Sequence, residues 1–158
     1  MAFRKKAEYI LACKPDILIV PECEHPDKLK FTDSTPEPTD TLWFGSNKNK
    51  GLGIFSYSDF RFRLLDTHNP EIKMVIPIAV TGKGGDFILL AIWANNPADP
   101  DEQYIEQVWK ALHHYDAWLT NKQTILIGDF KSNTIWDRKQ RESNHSNVVK
   151  FLEKKRIF

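Results

Sequence analysis

The chain has 158 residues, of which 41% are hydrophobic and 27% charged, and its formal net charge is +1. That length holds one buried core and argues against a second domain. The near-neutral charge excludes a global field that would by itself draw nucleic acid or membrane, although not a local basic patch.

No apolar run reaches transmembrane length, so no membrane partner is expected. The basic start Met1-Ala2-Phe3-Arg4-Lys5-Lys6 has no long apolar stretch behind it and does not read as a signal peptide. The two cysteines, Cys13 and Cys23, lack C-x-x-C spacing. They fit free thiols in a reducing, cytoplasmic setting and carry no zinc signature.

Phe3, Ala7, Ile10 and Leu11 recur at helical spacing and predict an amphipathic helix from about Ala2 to Cys13. Ile17-Leu18-Ile19-Val20 has no polar alternation and predicts a strand buried on both faces, half of a β-α-β unit lacking its first strand. Glu22 follows directly. Cys23 is expected in the core and His25 in the loop, since two such residues do not close a soft-metal site.

The polar stretch 26–40, with three prolines, predicts a surface loop. Strands are expected at Thr41–Phe44 and Leu52–Tyr57, joined by a turn, and at Arg61–Asp66, which alternates. Met74–Val80 contains Pro77 and predicts an edge or bulged strand. The turn 81–86 resembles a phosphate loop only in composition, because no Lys-Ser/Thr pair opens a helix there.

Phe87–Trp93 predicts another buried strand, ending in Ala94-Asn95-Asn96-Pro97. Asn95 or Asn96 could donate to a phosphoryl oxygen, or simply form a turn before proline. Asp99, Pro100 and Glu102 read as the capped start of a helix whose buried stripe is Ile105, Val108, Trp109, Leu112, Tyr115 and Leu119. His113 and His114 lie beside that stripe, at the surface or core edge.

Thr124-Ile125-Leu126-Ile127-Gly128-Asp129 is the stretch around which the rest is organised. Its unbroken apolar run predicts a strand covered on both faces, which delivers Asp129 to a rim. Asp129 is then either a loop cap or a chemical group. Gly128 favours the second, since glycine lets another group approach the backbone. Glu22 and Asp129 together suit a hard cation such as Mg²⁺, which takes one or two carboxylates and keeps several waters.

Beyond Asp129, Lys131, Asn133 and Arg138 offer donors. The cluster Arg138-Lys139-Gln140-Arg141 can touch a phosphate backbone or stay solvated. Ser143 or Asn144 caps a last helix bearing Val148, Val149, Phe151 and Leu152. Ile157-Phe158 reads as the beginning of a further strand, so both ends of the pattern look cut.

Two motifs carry a family resemblance. Asp16-Ile17-Leu18-Ile19-Val20-Pro21-Glu22 resembles the second motif of the endonuclease/exonuclease/phosphatase superfamily, the DNase I-like fold, in which a strand ends in an Mg²⁺-binding glutamate. Ile125-Leu126-Ile127-Gly128-Asp129-Phe130 resembles that family's Gly-Asp-Phe-Asn motif, with Lys131 where asparagine stands. The family's opening asparagine-bearing strand and closing Ser-Asp-His motif are not in this sequence.

The resemblance implies one incomplete α/β (α+β) domain over 1–158, a four-layer α-β-β-α sandwich of the DNase I-like type with mixed sheets and helices outside. It implies a divalent-metal-dependent phosphoester hydrolase, weak or inactive as this chain. Glu22 and Asp129 would hold Mg²⁺ (or Mn²⁺). Asp129 would also orient or deprotonate the attacking water, with Lys131 and Asn96 completing the catalytic set. Asn95, Asn96, Asn133 and Arg138 would bind phosphate. The substrate would be a phosphate ester, nucleic acid among the candidates. A strand-completing partner or a second copy is expected to cover exposed sheet edges. The alternative is a non-catalytic module that binds a phosphate-bearing ligand or a protein.

Overall fold

The computed structural model describes residues 3–96 and 104–157. The expected helix start at Asp99, Pro100 and Glu102 lies outside the described residues. The architecture is mixed α+β, with two sheets and, among the described residues, four α-helices. Strands β1 (Ile17–Cys23), β2 (Asp40–Asn47) and β3 (Lys50–Ser56) form an antiparallel sheet in the order β1-β3-β2. Strands β4 (Arg61–Leu64), β5 (Val75–Thr81), β6 (Phe87–Trp93) and β7 (Thr124–Asp129) form the second in chain order. Among the described residues only β6 and β7 run parallel, which demands a long crossover. That crossover carries α2 (Ile105–His114) and α3 (Asp116–Asn121); α1 (Ala7–Leu11) precedes β1 and α4 (His145–Lys154) follows β7.

Alternation along β6 explains how its apolar run is used. Leu89, Ala91 and Trp93 pack with Leu52 and Ile54 of β3 and Ile76, Ile78 and Val80 of β5, between the sheets. Leu90 and Ile92 turn the other way, against Val108, Leu112, Leu119 and Val148. Fully burying such a side chain contributes about 1.5–3 kcal/mol. A third cluster joins Phe55 and Cys23 to Phe3, Ala7 and Leu11. The expected strand Phe87–Trp93 and the helical stripe are therefore both found. The stripe is divided, however, because the helix breaks at Tyr115.

Several expectations need correction. β7 is not covered on both faces: Ile125 and Ile127 are 48% and 41% exposed. The strand ends its sheet, and only Leu126 reaches the helix-side core. Nor is β1 covered on both faces: among the described residues it pairs antiparallel with β3, and its residues from Ile17 to Glu22 are only half-buried. β5 is central despite Pro77. The Pro77 carbonyl accepts from the Leu65 N–H (3.1 Å), one residue past the end of β4. In a strand the N and C=O of one residue face the same neighbour, so the missing N–H falls where β4 has ended and no ladder bond is lost.

The first helix is also shorter than its pattern, with a 3₁₀ turn over Phe3–Lys5 leading into α1. Glu24 anchors this turn, accepting from the Phe3 N–H (2.9 Å) and from Arg4 Nη1 (3.0 Å). In α4, Asn144 is the cap, accepting from the Asn147 N–H (2.9 Å), and Val149 is exposed rather than packed. No helix among the described residues is long and apolar enough to cross a membrane.

Candidate functional site

Glu22 leaves β1 at an irregularity between Pro21 and Cys23 and has φ +59°. A non-glycine residue in this left-handed region is strained, and such strain gathers at functional sites. Its carboxylate Oε1 lies 3.0 Å from Lys50 Nζ and 3.7 Å from Lys131 Nζ. The hydrogen-bonded Lys50 ammonium holds the Glu22 carboxyl below its usual range, outweighing partial burial, and Lys131 adds to the effect.

Asp129 closes β7. Its backbone is set by Gly128, where an added Cβ would fall 1.9 Å from the Ile92 carbonyl oxygen and φ is +140°. The close approach expected at this glycine is thus made by the neighbouring strand's own backbone. The Asp129 carbonyl accepts from the Ala94 N–H (2.8 Å), joining the ends of β6 and β7. Its Oδ1 accepts from the Lys131 N–H (3.0 Å), and its Oδ2 lies 3.9 Å from Lys131 Nζ. Lys131 itself has φ +40°.

Glu22 and Lys131 border a cavity of about 290 Å³ lined also by Lys50, Asn95, Asn96 and Tyr104, among others; Asp129 is not one of its lining residues. Among the described residues, six non-glycine residues have positive φ, and four of them (Glu22, Met74, Tyr104 and Lys131) line this cavity. Asn95 commits its side-chain oxygen to Gln107 Nε2 (3.0 Å), which leaves its amide donors; Asn96 is exposed.

The structure brings Glu22, Lys131, Asn95 and Asn96 to one cavity and sets Asp129 next to it, against Lys131. It sets Asn133 and Arg138 apart, in an adjoining groove of about 880 Å³ that shares Tyr104 and Lys131 with the cavity. Asn133 there caps a 3₁₀ turn, accepting from the Ile135 N–H (3.1 Å).

Sequence reasoning missed Lys50 and Trp93. Lys50 opens β3 and places its ammonium 5.2 Å from the Trp93 ring centre, a cation–π contact. Trp93 is buried and lines the cavity, and its Nε1 has no hydrogen-bond acceptor among the described residues. Neither had a local signal, since one ends a turn and the other ends an apolar strand.

Among the described residues, no group of three or more His, Cys, Asp or Glu is gathered to hold a metal. The donor set is two carboxylates with amides nearby, hard oxygens of the kind a hydrated Mg²⁺ or Mn²⁺ accepts. The Lys131 ammonium is the cation that lies near both carboxylates, 3.7 Å from Glu22 and 3.9 Å from Asp129. No protein-family model matches the chain, and no curated protein matches it.

Proposed function

We propose that the chain is a phosphoester hydrolase domain of the endonuclease/exonuclease/phosphatase type, in which Glu22 and Asp129 hold Mg²⁺ or Mn²⁺. One observation carries the reading: two carboxylates from strands of different sheets converge on a single cation, the Lys131 ammonium. When bound, the metal supplies neutralisation of charge developing on the phosphoryl oxygens. Asp129 orients or deprotonates the attacking water. Asn96 and the amide of Asn95 donate to phosphoryl oxygens, and an acceptor in the cavity would also satisfy Trp93 Nε1. The succession of α1, the three-stranded sheet, the four-stranded sheet and the helices α2 to α4 supports a four-layer α-β-β-α sandwich of the DNase I-like type. The free thiols suit a cytoplasmic setting. The open edges of β1 and β7 suit a completing strand from a partner or a second copy.

Cleavage of bis-p-nitrophenyl phosphate with Mg²⁺ or Mn²⁺ tests this. Weak metal-dependent activity at most is expected in the native protein, together with a rise in Tm on adding metal, and both are expected to be lost in Glu22→Ala and in Asp129→Ala, with folding retained. No metal-dependent cleavage, and no rise in Tm with either metal, rejects it.

A second reading is favoured by one feature. Lys50 and Lys131 already balance the two acids, and lysine offers donors but no acceptor where the motif has asparagine. A rim balanced in this way suits a non-catalytic module that holds a phosphate-bearing ligand. Stabilisation by inorganic phosphate without metal, and without cleavage of any ester, would select it.

A further inference from the structure

The groove beside the rim carries an unusual surface. Ile135 and Trp136 are adjacent, line the groove, and are 77% and 65% exposed. Apolar side chains that open are commonly found on loose loops, but this loop is tied down. Asn133 closes the turn through Ile135 N–H (3.1 Å), and its carbonyl accepts from the Trp136 N–H (3.0 Å). Asp137 then accepts from His145 N–H (2.8 Å), Ser146 N–H (3.0 Å) and Ser146 Oγ (2.5 Å) at the start of α4. Ser132 Oγ pairs with His145 Nδ1 (2.8 Å). The indole is therefore presented to solvent by a polar scaffold rather than buried by it. Such a surface loses little conformational freedom when a flat ring stacks on it.

The charges of the groove select the ligand. Its two acids are committed within the protein: Glu106 pairs with Arg141, and Asp137 serves the first turn of α4. Arg138 lines the groove and has no acidic partner among the described residues. Lys131 closes the end nearest the rim and belongs to both cavities. A flat apolar platform with Arg138 beside it, and with Lys131 at the end it shares with the rim acids, fits an anion that carries exposed rings. At about 880 Å³ the groove has room for more than one nucleotide unit.

We infer that the groove binds single-stranded nucleic acid, with a base stacked on Trp136, Ile135 beside it, and the backbone phosphates on Arg138 and Lys131. The strand then leads across Tyr104 and Lys131 to the Glu22–Asp129 rim. The inference deepens the hydrolase reading by naming its substrate class, and rests on it for what happens at the rim. Binding in the groove does not depend on metal.

The test measures the anisotropy of labelled dT12, U12 and a twelve-unit abasic phosphodiester of equal charge. Each is titrated with the full chain in EDTA. The expected result is tighter binding of the base-bearing strands than of the abasic one. Trp136→Ala is expected to weaken dT12 roughly 5- to 100-fold and leave the abasic strand nearly unchanged. Arg138→Ala is expected to weaken all three and to lower the slope of log Kd against log salt by about 0.7. Comparing dT12 with U12 separates DNA from RNA as the source.

Equal binding of base-bearing and abasic strands, or a Trp136→Ala protein that binds dT12 as the native does, overturns the inference. Strand binding with neither cleavage of any ester nor a rise in Tm with metal leaves the groove standing and removes the hydrolase reading. Metal-dependent cleavage of bis-p-nitrophenyl phosphate without strand binding does the reverse.

Discussion

Lys131 places its ammonium 3.7 Å from Glu22 Oε1, although Glu22 leaves a strand of one sheet and Lys131 follows a strand of the other. The same ammonium lies 3.9 Å from Asp129 Oδ2. A divalent cation at this point must compete with it. Lys131→Asn removes the competing charge and adds an amide oxygen. It is expected to tighten Mn²⁺ binding at least about tenfold, since ~1.4 kcal/mol of relieved repulsion is enough. Isothermal titration against the native protein checks this, and equal affinities would mean that the lysine does not occupy the cation's place.

Gly128 holds Asp129 at the rim by allowing β7 to close on β6. Gly128→Ala sets a Cβ 1.9 Å from the Ile92 carbonyl oxygen at a φ of +140°. Contact and strain act together, so the loss of stability is expected to be at least about 2 kcal/mol. Urea denaturation measures it, and a change within about 0.5 kcal/mol would show that the strand ends shift freely.

Much of the fold was legible because one-dimensional patterns record burial. The limits of β6 followed from its unbroken apolar run, and the residues of the α2–α3 stripe from helical periodicity. β7 was legible as a strand but not as an edge. Ile125, Leu126 and Ile127 look alike in sequence, and only the packing of each face separates the half-buried Leu126, against the helices, from the two exposed isoleucines. Pro77 misled for a related reason, since its tolerance depends on where β4 happens to stop. At the site, the carboxylates announced themselves by following strands. Lys50 and Trp93 did not, because their roles arise from sheet packing between segments far apart in the chain.

The exposed isoleucines of β7 give a direct test of the open edge. Ile125→Lys with Ile127→Lys removes apolar surface that belongs to no core cluster. Each change is expected to alter stability by no more than about 0.5 kcal/mol. The double variant is expected to shift the protein towards monomer in light scattering. An unchanged mass distribution would show that this face takes no part in association.

Glu24 sets a pH limit on the N-terminal segment. Burial pushes its carboxyl up, but hydrogen bonds from backbone N–H groups including Phe3, and the Arg4 guanidinium, bring it below its ordinary value of 4.5. The stabilisation is present above that value and lost as pH falls through the lowered one. Amide exchange in the first turn is expected to rise in that acid range before exchange in β3 and β6. At neutral pH, Glu24→Ala is expected to cost about 1.5–3 kcal/mol in urea denaturation.

The cancellation of charge among Glu22, Asp129, Lys50 and Lys131 has a kinetic corollary. A cluster with no net monopole sends almost no potential past a Debye length, so it cannot pull an anion in from bulk solution. Arrivals at this point must be funnelled along the protein surface or come by unaided diffusion. The rate of encounter would then follow the ionic strength felt by Arg138, and barely that felt by the four groups where chemistry is expected.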